Sequence, residues 1–288
     1  MNTKKPKILL VGGGTLGSVS PLLAVALEFP AEYLFVCSPH GPEKKLIEAS
    51  NIPIITLRAG KWRRYFSWQN LADIFWLKIS FWRSLGIIRK FKPDLILTAG
   101  SFVAVPVAWA GWFCRVPVVV HQQDIVVGLA NKIMAPLAKV ITVTFSEQKN
   151  SFHYKNKIVV TGNPVRKITT HENPEKIILI TGGGLGARGL NEFVKEFIPY
   201  LSSYYTVHHI LGQDNWDQRA RQENYTAHQF ATSEMPDLMS RAELIISRAG
   251  MQTITEVAGL SKALVLVPMP NSHQEQNAIF LAKHNAAY

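Results

Sequence analysis

Between Ile245 and Asn277 the chain reads IISRAGMQTITEVAGLSKALVLVPMPNSHQEQN, and its polar residues fall where a βαβ unit would gather them at one end. A short apolar strand runs into Ser247-Arg248-Ala249-Gly250, and a helical stretch then carries Thr253 and Glu256. A second apolar strand, Ala263 to Val267, stops at Pro268 and Pro270. In an open parallel sheet, ligands bind beyond the carboxyl ends of the strands, where helix N-termini present free N–H groups to anions. Gly250 admits a ligand close to the backbone, Glu256 sits one and a half turns into the helix, and His273-Gln274-Glu275-Gln276-Asn277 follows the next strand. A phosphate at the helix start, ribose hydroxyls on the carboxylate and a sugar beside the amides fit this order. The same residues also serve as ordinary punctuation between a helix and a strand, so the reading rests on the other stretches too.

Two of these repeat the sequence of apolar strand, glycine turn and helix. Ile8 to Val11 opens into Gly12-Gly13-Gly14-Thr15-Leu16-Gly17-Ser18-Val19-Ser20-Pro21 before the helical LLAVALEF. Ile177 to Ile180 opens into Gly182-Gly183-Gly184-Leu185-Gly186-Ala187-Arg188 before a helix from Leu190. Glycines let an anion reach the backbone, and the helix dipole favours its charge. Gly12, Gly14 and Gly17 satisfy G-x-G-x-x-G, a weak signal alone. An NAD site would add an acidic residue after the second strand, whereas Tyr33 to Val36 runs into Cys37-Ser38-Pro39. No Asp-x-Asp occurs, so leaving-group charge would fall to helix N-termini and Arg166, with no metal required.

Those turns need two sheets to carry them, and 288 residues suffice for two α/β domains. The formal charge of +11 is unevenly placed. Through Asn163 there are 20 Lys+Arg against 8 Asp+Glu, net +12; from Pro164 onward, 11 against 12, net −1. The first half is expected to meet something anionic. Cys37 and Cys114 have no metal-like spacing. The first apolar run is too short for a signal peptide, and none approaches the ~18 residues of a spanning helix, so a cytoplasmic protein is expected.

Lys61 to Lys92 holds eight basic residues, nine aromatics and one acid, Asp73. On a helical wheel Leu71, Ile74, Phe75, Trp82 and Leu85 form a core-like stripe, and Trp76, Ile79, Arg83, Ile87 and Lys90 a mixed apolar and cationic one. The second stripe suits an interfacial helix resting on anionic inner-leaflet lipid, with Trp109 and Trp112 extending it, or burial by neighbouring helices. No RNA- or DNA-binding motif appears, and nucleic acid is not an expected partner.

Taken together, the Ile245–Asn277 signature, both glycine turns, Gly100-Ser101-Phe102-Val103-Ala104-Val105-Pro106 and Gly162-Asn163-Pro164-Val165-Arg166 closely resemble the MurG family. Its members are GT-B glycosyltransferases that move N-acetylglucosamine (GlcNAc) from UDP-GlcNAc onto undecaprenyl-linked muramyl peptide, lipid I. The resemblance implies an α/β fold of two facing Rossmann-like domains with mainly parallel sheets. Residues 1–163 would bind acceptor and membrane, 164–175 would link, and 176–288 would bind the UDP-sugar. It implies donor contacts from Thr15, Leu16, Gly17, Asp124, Arg166, Gly184, Thr232, Met251, Gln252, Thr253, Ile254, Thr255, Glu256, Gln274 and Asn277. Of these, Glu256 would take the ribose, and Gln274 and Asn277 the sugar. Acceptor contacts would come from Gly14, Thr15, Gly17, Ser18, Gly100, Ser101 and Phe102. Membrane contacts would come from Trp76, Ile79, Arg83, Ile87 and Trp112, placing the protein peripherally on the inner face of the plasma membrane. No cofactor is expected.

The chain departs from the family pattern at Leu16, where a glycine is usual, and at Ser18, which stands at the family's histidine. A neutral serine is no general base at pH 7 without help. Asp124, where the family has asparagine, is the chemically able candidate, so Asp124 and Ser18 are the catalytic candidates. Gly184 and Leu185 replace a serine and a glutamine. These changes keep open a UDP-sugar transferase with another lipid acceptor, and a non-catalytic homologue that binds nucleotide sugar. A doubly wound domain would continue beyond Tyr288, so the second domain is expected to be incomplete and the isolated product poorly soluble.

Overall fold

The computed structural model describes residues 5–39, 41, 43–58, 68–171, 175–183, 186–212, 221–229, 231 and 234–288. The chain divides into two compact units, Met1–Arg166 and Lys167–Tyr288.

In the first unit the strands are β1 (Lys7–Val11), β2 (Glu32–Cys37), β3 (Ile54–Thr56), β4 (Leu95–Thr98), β5 (Val118–Gln122), β6 (Val140–Val143) and β7 (Ile158–Val160). They make one sheet in the order β3-β2-β1-β4-β5-β6-β7, parallel at every pairing. Parallel strands covered on both faces read as continuous apolar runs, and KILLV does. The pleat divides that run: Leu9 and Val11 enter one core with Val36, Leu85, Ile96 and Val118, and Ile8 and Leu10 another with Leu22 and Phe35. The winding reverses between β1 and β4, so the turns after these two strands flank the crevice of a doubly wound sheet. Helices α1 (Ser20–Glu28), α2 (Glu43–Glu48), α3 (Trp68–Phe91), α4 (Ala104–Phe113) and α5 (Leu129–Met134) fill the connections.

On α3 the structure corrects the wheel. Phe75 and Trp82, read as core, are 61% and 69% exposed. The inward face is Ser80, Ser84, Leu85 and Ile88, with Phe81 and Ile87 partly buried against it. Two serines can line that face because their hydroxyls return to backbone carbonyls, Ser84 to Ser80 at 2.6 Å and Ser80 to Arg58. Trp76 is half-buried beneath the Arg58 guanidinium, 4.2 Å from its ring centroid, and Ile79 is also half-buried. Arg83 and Trp112 are exposed. The side chains of Leu71 and Ile74 lie outside the described residues.

In the second unit β8 (Ile177–Thr181), β9 (Thr206–Ile210), β10 (Arg221–Gln222), β11 (Tyr225–His228), β12 (Leu244–Ser247) and β13 (Ala263–Leu266) form a sheet in the order β10-β11-β9-β8-β12-β13. Its pairings are parallel except for antiparallel β10 on β11. The reversal here lies between β8 and β12. The helices are α6 (Arg188–Lys195), α7 (Ile198–Ser202), α8 (Met235–Arg241), α9 (Met251–Gly259) and α10 (His273–Lys283).

Candidate active site

At the carboxyl end of the first sheet, three turns follow the neighbouring strands β1, β4 and β5. The β1 turn is wound around Ser18, which is buried and accepts from the Gly13 N–H at 3.1 Å. Its hydroxyl reaches the carbonyls of Gly13 and Thr15 at 3.2 and 3.1 Å. Ser18 therefore staples its own loop. Gly14 adopts φ +85°, and its N–H donates to Glu43 Oε1 at 2.7 Å, so that amide is not offered to an acceptor. Thr15 is exposed, and Leu16 and Gly17 are half-buried. Beside Glu43, burial and that residue's charge push the Cys37 thiol up to about 11.

Gln123 ties the β5 turn to the β1 turn, its Nε2 donating to the Gly17 carbonyl at 2.9 Å. Asn131 on α5 donates to the carbonyl of His121 and the side chain of Gln122. After β4, Gly100 donates to Thr98 Oγ1 at 3.1 Å, and Ser101 follows at φ +89°, a strained conformation for a residue with a side chain. Phe102 is half-buried. Asp124 is half-buried, with its carbonyl held by the side chains of Gln122 and Gln148, each at 2.7 Å.

His121, also at the end of β5, is buried between Thr142 Oγ1 (3.0 Å) and Asn163 Oδ1 (2.9 Å). With Asn163 presenting oxygen, Nε2 carries the proton and Nδ1 accepts from the threonine. Burial holds the imidazole below its usual range, outweighing the opposite pulls of Asn163 and Asp124. A neutral histidine thus fixes the 162–166 segment, in which Arg166 is half-buried.

At the carboxyl end of the second sheet, α9 begins after Gly250, which supplies no side-chain cap to its first turn. Met251 and Ile254 turn their side chains into the core, each 2% exposed, so these two can meet a ligand only through the backbone. Gln252, Thr253 and Thr255 are half-buried, and Thr255 closes its hydroxyl on the Met251 carbonyl at 2.8 Å. Glu256 is buried, with Gln252 Nε2 at 3.3 Å from its Oε1. Asn277 is fully buried, donating to the Ala249 carbonyl at 3.0 Å, and Gln274 Oε1 accepts from Met269 N–H at 3.0 Å. Both amides therefore brace the turns around the α9 start. Gly184 and Thr232 lie outside the described residues.

Three features were not singled out in the sequence. Arg248 is one: its Nη1 donates to the carbonyls of Val267 (3.0 Å) and Pro268 (2.9 Å), clamping the end of β13 to that of β12. Burial lowers its pKa. The motif SRAG contained it, but only the reach of its Nη1 to two carbonyls 19 and 20 residues along the chain reveals its work. The His121–Asn163 pair and Glu43 are the others. Among the described residues, no group of three or more His, Cys, Asp or Glu is arranged to hold a metal ion.

Two doubly wound units with glycine turns and uncapped helix starts at the carboxyl ends of parallel strands define a GT-B type of α/β protein. The chain matches the glycosyltransferase family 28 N-terminal domain over residues 8–143 and the C-terminal domain over 177–288, and it belongs to that family. It is 38% identical, over 91% of its length and 79% of the relative's, to the UDP-N-acetylglucosamine--N-acetylmuramyl-(pentapeptide) pyrophosphoryl-undecaprenol N-acetylglucosamine transferase 2 of Bacillus cereus. The transferase of the same description from Clostridium perfringens is 36% identical over 92% of this chain and 79% of that protein. Among solved structures, Acinetobacter baumannii MurG superposes with a TM-score of 0.71 at 28% identity, covering 96% of this chain and 83% of that one.

Proposed function

We infer that this protein is an inverting glycosyltransferase that moves GlcNAc from UDP-GlcNAc to the muramyl C4 hydroxyl of lipid I, giving lipid II. The observation that carries the reading is the similarity to transferases of that description over 91% of the chain, joined to a second-unit sheet end built for an anionic nucleotide. The α9 N-terminus takes the diphosphate, Glu256 the ribose hydroxyls, and the polar edge near Gln274 and Asn277 the sugar. The β1 and β4 turns of the first unit take the acceptor through Thr15, Gly17, Ser101 and Phe102. The C4 oxygen forms its bond to the anomeric carbon as the bond from that carbon to the diphosphate oxygen breaks. The hydroxyl proton passes to Asp124, and UDP leaves with its charge met by helix N-termini and Arg166.

Transfer of labelled GlcNAc from UDP-GlcNAc to a soluble lipid I analogue tests this directly, with Glu256→Ala as control. Transfer that the control loses is expected; bound UDP-GlcNAc without transfer would overturn the reading.

The first unit also has a face for an anionic lipid surface. Trp82 (69% exposed), Trp112 (55%) and Phe113 (61%) stand on α3 and α4 with Phe75, Trp109, Lys78, Arg83 and Arg89 around them. Aromatic rings seat at a bilayer interface while cations meet its negative head groups. No helix among the described residues is long and apolar enough to cross a membrane. Cosedimentation with vesicles containing anionic phospholipid, reduced several-fold in Trp82→Ala/Trp112→Ala and absent with neutral vesicles, is the expected outcome.

A further inference from the structure

The first glycine turn already holds an anion of its own. Glu43, the first residue of α2, has a fully buried side chain. Its Oε1 accepts from the Gly14 N–H at 2.7 Å and from the Ser38 hydroxyl at 2.6 Å. Its Oε2 is buried and has no hydrogen-bond partner among the described residues. The fit around it is tight: a Cβ on Gly13 would stand 2.7 Å from Ser38 Oγ and 3.0 Å from Glu43 Oε1. Gly13 thus answers to Ser38 and this carboxyl group, and Gly14 to its φ of +85°.

Burying a carboxylate that is only half paired costs several kcal/mol, roughly, and an apolar side chain would fill the space at less cost. What no apolar side chain supplies is an acceptor for an amide at φ +85°. Gly14 has no side chain by which packing could hold it, so this bond is its anchor. From Gly14 the constraint passes to Gly13, whose N–H bonds Ser18, and from Ser18 to the Thr15 carbonyl.

We propose that Glu43 is a positioning residue for the acceptor side: it fixes the Gly13–Gly14 turn and thereby the shape of the open part of the loop, residues 15–17. The proposal rests on the reading that this loop receives the acceptor. It places no contact between Glu43 and any substrate. The α9 start, Glu256, Gln274 and Asn277 belong to the other unit, so the acceptor is the substrate that its loss should affect first.

The test compares the full chain with Glu43→Ala, which removes the anchor, and Glu43→Gln, which keeps an oxygen for Gly14 and Ser38. Amide exchange at Gly14, read by NMR without substrate, should quicken at least tenfold in Glu43→Ala and stay near the parent rate in Glu43→Gln. The KM for the lipid I analogue should rise about tenfold in Glu43→Ala and within about threefold in Glu43→Gln, with the KM for UDP-GlcNAc unchanged in both. Unchanged Gly14 exchange in Glu43→Ala overturns the proposal, as does faster exchange with an unchanged acceptor KM. A parallel rise in both KM values overturns it too, since that marks general destabilisation. Should Glu43→Ala not fold, Ser38→Ala carries the test, with a threefold rise in acceptor KM and faster Gly14 exchange expected; no change in either overturns the proposal. If the parent protein transfers no GlcNAc, the functional reading fails on its own, and the exchange rates still decide whether Glu43 anchors the turn.

Discussion

The two units share a plan, a parallel sheet reversing beside a glycine turn, but they brace it with opposite charges. In the first, the turn after β1 folds over the Glu43 carboxylate, and in the second the ends of β12 and β13 are clamped by the Arg248 guanidinium. A diphosphate approaching α9 meets uncapped amides with a cation behind them. One approaching the β1 turn finds Gly13 and Gly14 already bonded and the Glu43 carboxyl group beneath them, so only residues 15–17 remain for it. Backbone architecture alone therefore does not say which substrate an end accepts, and the two ends differ in the buried side chain that braces them.

If the ends divide the work in this way, substitutions should separate cleanly by unit. The largest effect is expected from Asp124→Asn, which removes the proposed base and should lower kcat about a hundredfold or more while sparing the KM for UDP-GlcNAc. Unchanged turnover would remove Asp124 from the chemistry. Arg248→Ala leaves two carbonyls unmet and should destabilise the second unit by about 2–3 kcal/mol, read by denaturant unfolding, with the KM for UDP-GlcNAc raised and that for the acceptor unmoved. An effect on the acceptor alone would break the comparison.

Another effect, confined to the second unit, depends on pH. His209 is buried between Tyr225 and Asn191, and burial lowers it from 6.5 to about 4. Above 6.5 it is neutral folded or unfolded. Between that value and about 4 only the unfolded chain takes the proton, so stability falls with falling pH across this window, by at most about 1.4 kcal/mol per unit. Unfolding curves of His209→Gln should lack that share of the slope. The smallest effect is Ser101→Gly, which relieves the φ of +89° and should stabilise the first unit by under about 1 kcal/mol. Increased turnover in that variant would show the strain to be a hindrance to the reaction.

The strands were plain in the sequence because parallel strands buried on both faces leave unbroken apolar runs: Ile8 to Val11, Tyr33 to Val36 and Ile177 to Ile180 all lie within observed strands. The β12–α9–β13 unit was legible for a related reason, since its parts are contiguous in the chain. The phase of α3 was not, because the wheel assigned the inner face by apolar content, while Ser80 and Ser84 reach it by bonding backbone. Glu43 was invisible in PEKKLIE, where it resembles any solvated helix charge; its partner Gly14 is 29 residues away. The His121–Asn163 bond spans 42 residues and is equally silent in local pattern. Ser18 shows the converse, a departure read as lost chemistry that proves to be the bolt of its own loop.

One further consequence belongs to Cys37. Fully buried beside Glu43, with its thiol raised to about 11, it holds almost no thiolate at neutral pH and is sealed from reagents. Its alkylation must then await the opening of β2 from the sheet. The protein thereby carries an internal clock for the first unit, whose labelling half-life in the native state reports how often that sheet comes apart.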